Sequence, residues 1–189
     1  MGSQHEVTVV VGEDEALIRM DLVEMLAEEG YVVVGQAGDG AEAVRLALEL
    51  RPDVVLLDMK MPVMDGLAAA ERIREADVAP VVMLTAFSQR ALVDRAAEVG
   101  VMGYVVKPFS QSDLSPAIEI ARARWAERKG AEMRASDLQG RLAARTFIDR
   151  AKAALQAQGM TEAEAFRHLQ RLAMDGRKSM ADVAAEILR

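Results

Sequence analysis

Four places in the first 110 residues carry side chains that can do chemistry together. Glu13 and Asp14 follow the β-branched run Val7-Thr8-Val9-Val10-Val11, and Asp58 ends the run Val54-Val55-Leu56-Leu57. Thr85 ends Val81-Val82-Met83-Leu84, and Lys107 follows Tyr104-Val105-Val106. Each apolar run is too short for a helix and suits a strand buried on both faces. A charge at the end of such a strand is costly unless it lies at the carboxyl edge of a sheet, where loops open to water and ligands bind. If the strands are neighbours, three carboxylates share one crevice and repel one another. A hard cation such as Mg2+, which prefers oxygen ligands and keeps several waters, relieves that repulsion. Carboxylates, a cation, an ammonium and a hydroxyl at one sheet edge suit phosphoryl transfer. A carboxylate can itself accept the phosphoryl group. Singly, each of these residues reads as an ordinary loop or strand-end side chain; their joint occurrence at four of five strand ends carries the argument. Met59, Met61 and Met64 read as gap-filling hydrophobes rather than ligands.

The elements that must position these groups alternate. Strands are predicted at 7–11, 31–34, 54–57, 81–85 and 104–106. Helices are predicted at about 15–29, 41–50, 66–75 and 89–99, with a fifth beginning near Ser112. The first helix should turn Leu17, Met20, Leu22, Val23 and Leu26 toward the core. Pro62 stops regular structure after Asp58, and Gly66 permits the turn into the next helix. Strand–helix alternation repeated five times argues for a doubly wound parallel sheet with helices on both faces.

After Pro116 no strand candidate appears. The fifth helix should continue past Trp125, with Gly130 a candidate interruption. A long helix over 131–157 should carry the stripe Leu138, Leu142, Phe147, Ile148, Ala151 and Leu155. Thr161-Glu162-Ala163-Glu164 is a capping box opening a helix with Ala165, Phe166, Leu169, Leu172 and Ala173. Phe166 reads as core and His168 as an exposed polar residue. Ser179 caps a last short helix.

Charge divides along the same line. The net charge of −7 splits into −11 over residues 1–115, +2 over 116–136 and +2 over 137–189. An acidic front and a mildly basic tail imply two units with different partners. There is no cysteine, so no disulfide framework or thiolate metal site is possible, in keeping with the cytoplasm. No apolar run approaches the roughly 20 residues of a membrane span, and residues 1–6 lack the features of a secretion signal.

Glu13-Asp14, Asp58-Met59-Lys60-Met61-Pro62, Asp65-Gly66, Thr85-Ala86, Tyr104 and Lys107-Pro108-Phe109 resemble the receiver domain of two-component response regulators. The resemblance covers about residues 6–128 and implies a flavodoxin-like five-stranded sheet of order 2-1-3-4-5. It implies that Asp58 accepts phosphate from a sensor histidine kinase. It further implies Mg2+ held by Asp14 and Asp58, by Glu13 through water and by the Lys60 carbonyl. Lys107 would pair with the phosphoryl oxygens, Thr85 would move to bond them, and Tyr104 would turn inward behind it. Lys107-Pro108 should be cis. Such a protein is not an enzyme beyond catalysing its own phosphorylation and dephosphorylation.

Arg145, Ile148, Ala151-Lys152, Leu155, Thr161, Glu164-Ala165-Phe166, Leu169, Ala173-Met174 and Arg177-Lys178-Ser179 resemble an ANTAR domain, a three-helix module of transcription antiterminators that binds RNA hairpins. It would occupy residues 137–189 as a small all-α domain, after a linker or helical continuation over 129–136. Ala153, Gln156 and Gln170 depart from the family pattern. The resemblance points to Arg145, Lys152, Arg177 and Lys178 as RNA contacts and to a homodimer formed on phosphorylation. A DNA-binding output fits less well, since the last helix offers only Asp182, Glu186 and Arg189 as charges. A tail that contacts only protein is the other alternative. A phosphatase of the haloacid dehalogenase type would want an Asp where Lys60 stands, and neither a dinucleotide-binding nor a Walker A pattern occurs.

Overall fold

Five strands, β1 (Thr8–Gly12), β2 (Val32–Ala37), β3 (Val54–Asp58), β4 (Val81–Thr85) and β5 (Gly103–Val106), form one parallel sheet in the order β2-β1-β3-β4-β5. The computed structural model describes residues 6–86 and 100–188. Within these lie six helices: α1 (Ala16–Glu28), α2 (Gly40–Leu50), α3 (Gly66–Glu75), α4 (Gln111–Ala157), α5 (Glu162–Gly176) and α6 (Met180–Ile187). The helix expected over 89–99 lies outside the described residues.

Two-residue alternation along the strands builds two core layers. Val10, Val55, Leu57, Val81 and Met83 meet α2 and α3 on one face, around Ala43, Ala47 and Ile73. Val9, Val11, Leu56, Val82, Leu84 and Val105 face the other way, against Leu22 and Leu26 of α1 and Leu114 and Ile118 of α4. The central β3 and β4 are buried at every residue, as a parallel sheet covered on both sides requires. Each fully buried Leu or Ile contributes about 1.5–3 kcal/mol.

Several local expectations change. β2 continues through Gly35 to Ala37, and its pairing with β1 is irregular between Val9 and Val10. Leu17 and Met20 are 77% and 65% exposed, while Leu22 and Leu26 are the buried residues of α1. At about 100° per residue, Leu17 and Met20 fall on the far side of the helix from Leu22. Gly130 does not interrupt α4, which runs unbroken through 129–136.

The chain divides within α4 into two compact units, Met1–Arg128 and Lys129–Arg189. In the second, Ala151 and Leu155 of α4 pack with Ala165, Leu169 and Ala173 of α5 and Val183 and Ala184 of α6. Reciprocal capping boxes start α5 (Thr161 with Glu164) and α6 (Ser179 with Asp182). The expected stripe on α4 is filled only at its end: Leu138 and Leu142 are each 61% exposed. Phe166 is 45% exposed rather than core, and His168 is half-buried rather than exposed. The seam of α5 runs along Ala165, Leu169 and Ala173, whose small alanines bring the helices close and leave Phe166 to one side.

Candidate phosphoacceptor and metal site

The sheet order places the carboxyl ends of β1 and β3 side by side, with Gly12 opposite Leu57 and Asp58 opposite Leu84 of β4. Ligand oxygens of Glu13, Asp14 and Asp58 consequently lie within 4.8 Å of one another. Glu13 is wholly buried, Asp58 is nearly so, and Asp14 is exposed. Lys107 reaches in from the end of β5. Its Nζ stands 2.6 Å from Glu13 Oε2 and 2.6 Å from Asp58 Oδ1.

Backbone hydrogen bonds hold these strand ends. Glu13 N donates to Ala37 O at 3.0 Å, Met59 N to Leu84 O at 3.0 Å and Lys107 N to Thr85 O at 2.7 Å. Lys60 N donates to Asp58 Oδ2 at 2.8 Å, leaving Oδ1 toward Lys107. The Lys107–Pro108 bond is cis, as the resemblance implied. Gly66 N donates to Met59 O at 3.0 Å where α3 passes under the loop. A Cβ at Gly66 would stand 2.0 Å from the Asp58 carbonyl oxygen, so only glycine allows this approach. Asp65 caps α3 by accepting from Ala68 N at 2.8 Å.

Electrostatics follow the crowding. Burial pushes the Glu13 carboxyl above its ordinary pKa; the Lys107 hydrogen bond opposes this and the Asp58 charge adds to it. Burial pulls the Lys107 ammonium down, but its hydrogen bonds to Asp58 and Glu13 outweigh that, and its pKa is raised. The lysine thus does for the carboxylates part of what a cation would do. Three hard oxygen donors at this spacing fit a divalent cation such as Mg2+.

The remaining sequence-derived residues are placed as follows. Thr85 is buried at the end of β4, its Oγ1 3.9 Å from Met59 Sδ. Tyr104 on β5 is 53% exposed, outside the inward position implied for it after phosphorylation. Met61 is buried, and Met59 and Met64 pack against the α2–α3 layer. One residue was missed from the sequence: Arg19 of α1 donates through Nη1 to the Glu13 carbonyl, pinning the loop that carries Glu13 and Asp14. A lone cation in the first turn after the acid pair was its only signal. In the second unit, Lys152 is bound to Asp149 at 3.1 Å and Glu162 at 3.2 Å, and Lys178 to Glu186 at 2.5 Å. Arg145 lies 3.9 Å from Asp149, and Arg177 ends α5 in a left-handed conformation at φ 50°.

Comparison with known proteins agrees with this geometry. The response regulator receiver domain family matches residues 9–119, and the ANTAR domain family matches residues 136–188. The chain is 55% identical over 181 residues to the transcriptional regulatory protein PdtaR of Mycobacterium tuberculosis, covering 95% of this chain and 88% of that protein. It is 37% identical over 111 residues to the chemotaxis protein CheY of Thermotoga maritima, covering 58% of this chain and 92% of that one. Among solved structures, Vibrio cholerae CheY4 superposes with a TM-score of 0.58 at 30% identity, covering 62% of this chain and 99% of that one. The CheX–CheY–BeF3–Mg2+ complex of Borrelia burgdorferi gives 0.57 at 29% identity, covering 59% and 86%. The carboxylate cluster at the sheet edge, the two family matches and a likeness spanning nearly the whole chain lead to one assignment: this protein belongs to the response regulators, with a receiver domain followed by an ANTAR domain.

Proposed function

We propose that Asp58 is the phosphoacceptor of a two-component system and that its phosphorylation controls RNA binding by the C-terminal unit in transcription antitermination. The observation that carries the first half is the Asp58 carboxylate, nearly buried, with Lys107 Nζ at 2.6 Å and two further carboxylates beside it. In the transfer, an Asp58 carboxylate oxygen attacks the phosphorus of a phosphohistidine on a sensor histidine kinase. The P–N bond breaks, a P–O bond forms, and the histidine leaves as imidazole. Mg2+, held by Glu13, Asp14, Asp58 and the Lys60 carbonyl, would neutralise phosphoryl charge when bound. Lys107 then exchanges carboxylate partners for phosphoryl oxygens, and Thr85 moves to bond the same group, with Tyr104 following. The protein catalyses only its own phosphorylation and dephosphorylation and works in the cytoplasm; among the described residues, no helix is long and apolar enough to cross a membrane.

The ANTAR family match supports RNA hairpins as the target of the second unit. We further propose that phosphorylation favours a homodimer. Residues 131–143 of α4 are exposed throughout, with Met133, Leu138 and Leu142 open to water. An unpacked helical stretch of that length is marginal in water on its own, and a second copy would cover those side chains.

Acetyl phosphate with Mg2+ should phosphorylate the full-length protein and leave the Asp58→Asn variant unmodified. Binding of a tandem-hairpin RNA should tighten with BeF3− and Mg2+ and weaken with salt, while light scattering reports the dimer. Binding to matched duplex DNA instead would favour a DNA-binding output, and binding to neither would point to a protein partner.

A further inference from the structure

The cations of the C-terminal unit are not equally available. Lys152 and Lys178 sit in ion pairs, and Arg145 lies near Asp149. Arg167 and Arg171 differ. Both are exposed, they stand one helical turn apart on α5, and among the described residues neither forms an ion pair. With His168 they form one wall of a cavity of about 600 Å3, whose other wall is the turn Gln158-Gly159-Met160 between α4 and α5. Glu164 also lines it, but its Oε2 is occupied by hydrogen bonds from Thr161 N and Thr161 Oγ1, each at 2.8 Å. Two guanidiniums therefore line the cavity with one carboxylate, whose charge interacts with that of Arg167, and the balance of charge is positive.

A concave, polar, cationic site suits an anion on a projecting group. Arginine's planar fork matches phosphate oxygens bidentately and stacks on base faces. In RNA recognition, splayed-out loop nucleotides offer both a phosphate and an unstacked base, whereas a duplex presents its phosphates along a convex backbone. We propose that the cavity between the 158–160 turn and the Arg167–His168–Arg171 edge of α5 seats one single-stranded loop nucleotide of a bound RNA, its phosphate held by Arg167 and Arg171. This rests on the RNA-binding reading above and moves its main contacts to residues other than Lys152 and Lys178.

The test uses the full-length protein with BeF3− and Mg2+, a synthetic tandem-hairpin RNA as probe, and salt from about 50 to 200 mM. The variants are Arg167→Gln with Arg171→Gln, and Arg167→Lys with Arg171→Lys. Both sites are exposed, so circular dichroism melts should match wild type. The Gln pair should bind roughly ten- to a hundred-fold more weakly, and its salt slope should fall by about 0.7, the loss of one neutralised single-strand phosphate. The Lys pair should recover the slope but only part of the affinity, because the fork is gone. Wild-type RNA binding together with unchanged affinity and slope in the Gln pair would overturn this inference and leave the RNA reading intact. A wild-type protein that binds no RNA would overturn both.

Discussion

Replacing Lys107 by Met should destabilise the protein in the absence of divalent metal and make it more responsive to Mg2+. Its Nζ lies 2.6 Å from both a wholly buried Glu13 oxygen and an Asp58 oxygen. At an effective dielectric near 20, each contact has a gross attraction of about 6 kcal/mol. Most of that is offset by the cost of taking the ions from water. The measurable quantity is the penalty for leaving buried carboxylates without their partner, about 3–5 kcal/mol. For a receiver of this size, each kcal/mol corresponds to roughly 3–6 °C in Tm, so Lys107→Met should lower the receiver transition by at least about 10 °C in EDTA. Because the ammonium and a divalent cation neutralise the same oxygens, Mg2+ should raise the variant's Tm more than the wild type's. Calorimetry of the full chain in EDTA and in MgCl2 reads both effects. The lysine pKa is raised in the fold, so its stabilisation is fully present below the unfolded lysine pKa of about 10.4 and is lost as pH rises through the higher folded value. An EDTA melting curve for Lys107→Met that matches wild type, or an equal response to Mg2+, would refute the reasoning.

Three further outcomes follow from the geometry. Glu13 has a raised pKa because burial disfavours its charge, so its ionisation lowers stability as pH rises above the unfolded value; Glu13→Gln in EDTA should gain Tm relative to wild type between pH 4 and 7, and a constant difference across that range would contradict it. Gly66→Ala should cost at least about 2 kcal/mol and slow phosphorylation by acetyl phosphate, because the new Cβ meets the Asp58 carbonyl oxygen at 2.0 Å; urea unfolding and a phosphate-affinity gel measure the two effects. Thr161→Ala should lower the stability of the C-terminal unit by about 1 kcal/mol, read as loss of helical signal on heating, since the Glu164 amide loses the Thr161 Oγ1 acceptor that caps α5.

The sequence by itself determined the parallel sheet, because short β-branched runs alternating with amphipathic stretches admit few other arrangements. It also determined that Glu13, Asp14, Asp58, Thr85 and Lys107 sit at strand ends, since each lies directly after an apolar run. Local chemistry made the capping box at Thr161 and the cap at Ser179 legible, because the side chain and the amide it caps are three residues apart. Only the tertiary structure decided what depends on distant partners. The sheet order, as a contact among strands, brought Lys107 Nζ to two carboxylates 49 and 94 residues earlier in the chain. The reach of Arg19 to the Glu13 carbonyl depended on how α1 turns back over its own strand. Apolar spacing could not tell which side of α1 would be covered, so Leu17 and Met20 came out exposed. It could not tell where a stripe would lack a partner, as at Leu138 and Leu142. Nor could it tell which cations would be neutralised: Lys152 and Lys178 look like Arg167 and Arg171 in the sequence, and only the packing of α4, α5 and α6 gave the first pair acidic partners and left the second pair lining a cavity.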